Sequence, residues 1–185
     1  MDVTRMLEAD HRMVEGLFAQ IEEQEGDERT ALVDELAEAL QQHMELEEQV
    51  VYPAMAPVTG SDKVEAGVTE HELAKKALAD LISQTPDGPG FGAALDAVKA
   101  GIEHHVKEEE EEIFPKLRTD GMEVIEGLSE PVQAKRQQLG MKVNTVALSV
   151  GATKEQLVEE AQGLDIDGAA SMNKDELAQA LAAAG

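Results

Sequence analysis

The feature that most constrains this chain is an internal repeat in its first two thirds. The segment HMELEEQVVYPAM, residues 43–55, aligns with HVKEEEEEIFPKL, residues 105–117. Both copies hold a histidine, a glutamate four positions later and an aromatic residue before a proline. A second pair, DHRMVEGLF (residues 10–18) and EHELAKKAL (residues 70–78), shares an acidic residue and a histidine. Two such halves are expected to pack with approximate two-fold symmetry, which brings equivalent side chains together at the centre.

Four long segments carry apolar side chains at the three- and four-residue spacing that is typical of a buried helix face. They are predicted to cover about residues 4–24, 28–55, 62–84 and 91–117. Pro53 and Pro57 are expected to close the second segment, and TPDGPG at residues 85–90 separates the third from the fourth. The short connections favour antiparallel neighbours. The sequence therefore predicts an all-α fold, an up-down four-helix bundle with a small helical C-terminal appendage.

Six polar side chains interrupt these apolar faces in phase with them. They are His11, His43, Glu47, His71, His105 and Glu109. A buried carboxylate without a partner is costly, so two carboxylates beside four histidines require a compensating cation. A histidine and a glutamate four residues apart share a helix face and can reach the same ion. Imidazole and carboxylate without thiolate suit iron, manganese or zinc better than calcium. Six such ligands suit a pair of metal ions.

The neighbouring polar residues are out of phase with the apolar faces of their helices. His104 is one position off the apolar face of its helix and is expected at the surface or in the outer surroundings of the centre. The glutamates expected to point away are Glu45, Glu48, Glu108, Glu110 and Glu111. Glu112 lies three residues after Glu109, so its approach to the end of the bundle stays open.

Composition excludes several classes of function. The formal net charge of −24 repels phosphate backbones and anionic lipid, which argues against nucleic-acid binding. No apolar run approaches the ~20 residues of a membrane span. The chain has no cysteine, so thiolate metal sites are excluded. The acidic, amphipathic N-terminus lacks the basic start of a signal peptide, and a cytoplasmic location is expected.

The six residues, with an aromatic–Pro pair after each His-x-x-x-Glu, resemble the hemerythrin-like HHE cation-binding domain over residues 1–118. The resemblance implies a four-helix bundle with two iron ions, an oxo- or hydroxo-bridged di-iron centre. It also implies O2, H2O2 or NO as the small-molecule ligand, in a redox or stress response. Oxygen-carrying hemerythrins have a second histidine four residues after the third-helix histidine, where this chain has Lys75. That departure argues against simple oxygen carriage, and a catalase-like decomposition of peroxide becomes a candidate activity.

The organisation changes beyond the bundle. Residues 119–150 are predicted to form a fifth helix, over about 129–139, and a linker. Residues 151–185 contain two short helical patterns, over about 153–162 and 173–183, and resemble the N-terminal helical module of the Rho terminator and, more loosely, SAP modules. This unit carries two lysines against seven acidic residues, so a protein partner or a cap on the bundle fits its charge better than nucleic acid does.

Alternative functions stay open at this point. The chain is interpreted as a redox protein or enzyme, as an iron- or oxygen-responsive sensor that signals through its C-terminal unit, or as an iron-handling protein without catalysis. Tyr52, the one tyrosine, stands where the second repeat has Phe114. Its ring plugs the end of the bundle in one interpretation. In the other its hydroxyl reaches the metal centre as a ligand or hydrogen-bond donor.

Overall fold

The computed structural model of the chain describes residues 2–141, 153–163, 166–174, 176–177 and 180–181. Within these ranges the chain forms helices and turns and no strand, which confirms the predicted all-α fold. The helices are α1 (Val3–Glu23), α2 (Gly26–Leu46), α3 (Tyr52–Thr59), α4 (Ser61–Ser83), α5 (Phe91–Glu108), α6 (Phe114–Asp120), α7 (Met122–Leu139) and α8 (Lys154–Gly163). None of the described helices is long and apolar enough to span a bilayer.

The long helices pack as the repeat predicts. Helix α1 lies against α2, and α4 lies against α5. Each pair is joined by a short connection, so its helices run antiparallel. The connection from α2 to α4 is the helix α3, which ends at Gly60 with a backbone φ of 100° that favours glycine.

A π-helical turn, in which the backbone hydrogen bond spans five residues, interrupts the second helix of each half. The first turn covers Glu47–Val51, and the N–H of Tyr52 bonds the carbonyl of Glu47. The second covers Glu109–Ile113, and the N–H of Phe114 bonds the carbonyl of Glu109. Each π turn therefore begins at the glutamate of a His-x-x-x-Glu motif and ends just before the aromatic residue.

The proline after each aromatic residue explains the π turn. Proline has no N–H, and in a regular α-helix its ring collides with the carbonyl four residues earlier. The wider turn places Pro53 and Pro115 in the first turn of α3 and α6, where neither problem arises. The prediction that Pro53 and Pro57 close the second helix was wrong, because α3 continues to Thr59 with Pro57 inside it.

Two apolar cores lie on either side of the layer of histidines and glutamates. The larger core is built from the segments that follow the histidines of α1 and α4 and precede those of α2 and α5, with Phe18, Leu36, Leu40, Leu78 and Val98 among its members. The smaller core holds the start of α1, the segments after both glutamates and the inner face of α7. The polar layer is thus enclosed by hydrocarbon from both ends of the bundle.

Helix α7 is longer than predicted and packs on the bundle. It begins at Met122, several residues before the predicted start, after Gly121, which has no side chain to cap a helix and so gave no start signal. It contacts α1, α2, α6 and the first π turn. Its residues Ile125, Leu128 and Val132 are buried in the smaller core.

The described part of the C-terminal region has a small core of its own, with Leu157, Ala161, Ala169, Leu177 and Leu181 buried. Asn173 forms a capping box with Glu176: its side chain accepts from the N–H of Glu176, and its own N–H donates to the Glu176 carboxylate. Most of the predicted linker, from residue 142 onward, and parts of the last predicted helix lie outside the described residues.

Candidate metal centre

The structure brings all six sequence-predicted side chains together in the middle of the bundle. His11 comes from α1, His71 from α4, and each His/Glu pair from α2 or α5 with its π turn. None of the six is more than 5% exposed, so the centre is closed to bulk solvent. Their imidazole Nε2 atoms and carboxylate oxygens all face inward.

These inward atoms fall into two groups that share one residue. One contains His11, His43, Glu47 and Glu109, and the other contains Glu47, His71 and His105; within each group the candidate ligand atoms lie within 4.8 Å of one another. The Glu47 oxygens lie 3.3 Å from His43 Nε2 and 3.2 Å from His71 Nε2. Glu47 therefore spans the two groups.

The second glutamate also faces both groups. Glu109 Oε2 lies 3.3 Å from Nε2 of His11 and 3.6 Å from Nε2 of His105. Imidazole nitrogens approach one another across each group, at 3.2 Å between His11 and His43 and 3.1 Å between His71 and His105. Four imidazoles and two carboxylates thus converge in two groups that share Glu47.

The electrostatics of the centre favour positive charge. Both oxygens of Glu47 and one of Glu109 have no hydrogen-bond partner among the described residues, which is costly for a buried carboxylate. Burial alone would lower the pKa of His11, but the adjacent carboxylates of Glu109 and Glu110 raise that pKa to about 9. Burial also opposes protonation of His105, whose pKa the charges of Glu109 and Glu47 raise to about 11. A metal cation would supply the charge that protons otherwise provide.

The outward nitrogens of the histidines face a second set of carboxylates. Nδ1 of His11 lies 2.8 Å from Glu110, Nδ1 of His71 lies 2.9 Å from Glu48, and Nδ1 of His105 lies 2.8 Å from Glu70. Nδ1 of His43 is 3.7 Å from Asp10. A carboxylate on Nδ1 fixes the ring and leaves the Nε2 lone pair for a metal.

Sequence reasoning missed these outer carboxylates. Glu48 and Glu110 do point away from the centre, as expected, but each holds a histidine rather than facing only solvent. The repeat carried the signal, because Asp10 aligns with Glu70 and Glu48 aligns with Glu110. Glu112, left open by the sequence, is 62% exposed and pairs with Lys63 outside the centre.

Comparison with known proteins decides the family. A family model described as the hemerythrin HHE cation binding domain matches residues 2–117, more than half of the chain. The chain belongs to the hemerythrin family. The same match does not extend into the C-terminal unit, and neither it nor the structural comparison below supports a resemblance of that unit to the Rho terminator module.

Similar chains occur in mycobacteria. The uncharacterized protein Rv2633c of Mycobacterium tuberculosis strain H37Rv is 26% identical over 121 residues, which cover 62% of this chain and 71% of that protein. The uncharacterized protein Mb2666c of Mycobacterium bovis shows the same values. A crystal structure of a hemerythrin HHE cation binding domain-containing protein from Mycobacterium kansasii, a Rv2633c homolog, aligns with a TM-score of 0.66 and 22% identity over 97% of this chain and 99% of that one. At this identity the likeness shows the shared fold.

One departure within this hemerythrin domain has a structural explanation. Lys75 stands where oxygen-carrying hemerythrins have a second histidine, and here its Nζ donates to Glu48 at 2.9 Å. Glu48 is the carboxylate that holds Nδ1 of His71. The lysine therefore contributes to the outer surroundings of the centre instead of to its inner ligands.

Tyr52 enters the hemerythrin centre from the smaller core. Its ring stacks on His71, and its hydroxyl lies 3.2 Å from His71 Nε2 and 3.4 Å from Glu109 Oε1. On a regular α-helix a residue five positions after Glu47 would point about 140° away from it. The π turn brings Tyr52 back toward the centre, so the sequence alone could not fix its direction. Burial and the charges of Glu47 and Glu109 raise the pKa of the Tyr52 phenol above its usual range.

Gly67 makes room for the Tyr52 ring. A Cβ atom on Gly67 would lie 2.8 Å from the Tyr52 hydroxyl oxygen and 3.0 Å from the ring carbon that carries it. The first repeat has Leu7 at the position equivalent to Gly67. On that side Phe114, which has no oxygen, stacks on His11 instead. The two halves thus differ where an aromatic residue meets the centre, and Gly67 was missed by sequence reasoning.

A small cavity adjoins the imidazoles on the side of the larger core. Apart from the four histidines it is lined by Val14, Leu40, Met44, Ile102 and Val106. Its volume of about 10 Å³ is the space of roughly one water molecule. A cavity of this size has room for about one water-sized molecule and excludes much larger ones.

Proposed function

We propose that His11, His43, Glu47, His71, His105 and Glu109 hold two iron ions, and that the chain reacts with a small oxidant at this centre. The observation that carries the proposal is the pair of buried ligand groups that share Glu47 beside a water-sized apolar cavity. Imidazole and carboxylate are ligands that suit iron, and the family is a cation-binding one.

Bound iron would supply reversible electron transfer, which the side chains of this centre cannot provide. The protein's own contribution is to bind, orient and exclude water. The outer carboxylates hold the imidazoles of His11, His71 and His105 with Nε2 inward. The apolar wall of the cavity keeps bulk water and larger molecules away, and the Tyr52 O–H donates toward Glu109 Oε1.

Decomposition of hydrogen peroxide is the reaction that this arrangement fits best. Two peroxide molecules give one O2 and two waters, so the reaction needs no further reductant and no bound organic cofactor. Hydrogen peroxide is among the smallest oxidants, which suits the small cavity beside the imidazoles. A carrier function is less consistent with Lys75 at the position of the extra histidine.

The direct test is oxygen evolution. Protein loaded anaerobically with Fe(II) and given excess peroxide is expected to release O2 over many turnovers, measured with an oxygen electrode. The control is Glu112→Gln, which alters an exposed carboxylate outside the centre and should evolve O2 at the same rate. Absence of O2 evolution from the iron-loaded protein would rule out the peroxide reaction.

A sensor role is the alternative, and the separate apolar core of the C-terminal region favours it. In that case the reaction at the centre would be a signal that the C-terminal unit passes to a protein partner. The same assay on a chain that ends at Met141 separates the two functions, because a catalyst should keep its turnover without the unit.

We further propose that the Tyr52 hydroxyl acts on the iron centre as a hydrogen-bond donor or as a ligand. Tyr52→Phe is expected to keep both ions, because the six other ligands remain, but to change the visible absorption and the rate of peroxide decomposition. Phe114→Leu is the matched control at the equivalent repeat position; it should lower thermal stability and leave the visible spectrum unchanged. An unaltered spectrum and rate in Tyr52→Phe would show that the ring only packs.

A further inference from the structure

We propose that Arg136 of α7 is a positioning residue for the metal centre and acts through Asp10 on His43. This inference rests on the proposed function, because it concerns the same ligand histidine. It assigns a role at the centre to a helix that lies beyond residues 2–117, the part of the chain that the family model matches.

Arg136 reaches into the bundle from outside it. Its guanidinium donates to both oxygens of Asp10, at 2.5 and 3.0 Å, and both side chains are buried, at 4% and 2% exposure. Paired, two-point contact of this kind fixes the orientation of a carboxylate as well as its position. Asp10 Oδ2 also faces Nδ1 of His43 at 3.7 Å, which is beyond hydrogen-bond distance, and His43 Nδ1 has no hydrogen-bond partner among the described residues.

The outer carboxylates beside the four histidines differ in their exposure to water. Glu110, Glu48 and Glu70 are 24%, 26% and 21% exposed, so water solvates part of their charge. Asp10 has no such access. Its negative charge therefore depends on Arg136, and so does the orientation of the carboxylate that faces His43.

The internal repeat allows the surroundings of Asp10 to be compared with those of the equivalent carboxylate in the second half. Asp10 is equivalent to Glu70, and His43 is equivalent to His105. In the second half an oxygen of Glu70 lies 3.4 Å from Nε2 of the exposed His104, and water can solvate both side chains. In the first half α7 covers the equivalent position and supplies a buried arginine. The fold has thus replaced solvent by a charged side chain at one of two otherwise similar positions.

Stability alone does not account for this pair. A buried ion pair is often no more stabilising than well-packed apolar residues of similar volume. Orientation of a ligand histidine is a role that apolar residues could not fill, because a metal-binding imidazole is oriented by an acceptor beside its Nδ1 atom. The Asp10 carboxylate lies 3.7 Å from that atom of His43.

The test compares Arg136→Met, the double variant Asp10→Asn with Arg136→Met, and Lys135→Met. Lys135 is the matched control: it is the adjacent buried cation of α7, but it bonds Glu45 and Gln49, which contact no histidine of the centre. Each protein is loaded with iron, and the absorption spectrum and the rate of iron release to a chelator are measured beside the thermal stability of the metal-free form.

Both Arg136 variants are expected to release one of the two ions about 10–100-fold faster than the parent, the usual effect of losing an outer partner, with a shifted spectrum. The double variant, which leaves no charge unpaired, should regain the metal-free stability lost in Arg136→Met while iron release stays fast. Lys135→Met should release iron at the parent rate.

Two results would overturn the inference. One is parent-like iron release and spectrum in whichever Arg136 variant folds. The other is equally fast release from Lys135→Met, which would mean that any loosening of α7 disturbs the centre. A parent protein that binds no pair of ions would instead refute the proposed function, so the two failures are distinguishable.

Discussion

Glu47→Ala is expected to abolish binding of both iron ions, the largest effect of any single substitution in the chain. Glu47 is the one residue common to the two ligand groups, with an oxygen within 3.3 Å of an imidazole nitrogen in each. Its loss removes a ligand from both positions and the negative charge between them. Metal analysis of purified protein after iron loading and gel filtration measures the effect.

Thermal unfolding provides an independent readout of the same substitution. An ion that binds only the folded state stabilises it by about 2.7 kcal/mol when its free concentration is 100 times the dissociation constant. A chelator should therefore lower the unfolding temperature of the parent and leave that of Glu47→Ala unchanged. The control Glu45→Ala, at an exposed carboxylate on the same helix, should behave as the parent does. Full iron content in Glu47→Ala would show that Glu47 is not a shared ligand.

His105→Ala is expected to lose at least one of the two ions, whereas His104→Ala keeps both. The two histidines are sequence neighbours on α5, but their environments are opposite. His105 is 5% exposed and belongs to the group with Glu47 and His71. The His104 side chain is 73% exposed and lies 3.4 Å from Glu70, on the outside of the centre.

Each of these two variants is the control for the other, because both replace a histidine of α5 by alanine and so change composition and helix propensity equally. Metal content by mass spectrometry and the near-ultraviolet absorption of iron-loaded protein are the measurements. Equal loss from both variants would mean that the assignment of the inward face of α5 is wrong.

The repeat and the helical phase were sufficient to predict the bundle and the convergence of six side chains. Both depend on local patterns: apolar spacing sets the buried face, and a histidine and a glutamate four residues apart share it. The inward direction of His43 and Glu47 follows from that spacing alone. The difference between His104 and His105 follows in the same way.

The details that the sequence could not supply come from tertiary packing. The π turns arise because a helix continues through Pro53 and Pro115 instead of ending there, and their phase change decides where Tyr52 points. Gly67 has meaning only once the Tyr52 ring lies against it. The pairing of Arg136 with Asp10 joins residues far apart in the chain, and no local pattern predicts such a contact.

The outer carboxylates were only partly predictable from the sequence. Their alignment across the repeat was visible in the sequence, but an acidic residue on a helix that is rich in glutamate is usually a solvated one. Three of the four are partly exposed, so burial patterns gave no reason to separate Glu48 and Glu110 from their neighbours. Only the distance from each carboxylate to Nδ1 distinguishes them.

Iron stoichiometry tests most directly whether one chain holds two iron ions. Protein loaded anaerobically with Fe(II), exposed to air and freed of loosely held metal should contain about two irons per chain, as expected for two ligand groups joined by a carboxylate. Near-ultraviolet charge-transfer absorption should rise in proportion to the iron content. A ratio of one iron per chain, or none, would contradict the account.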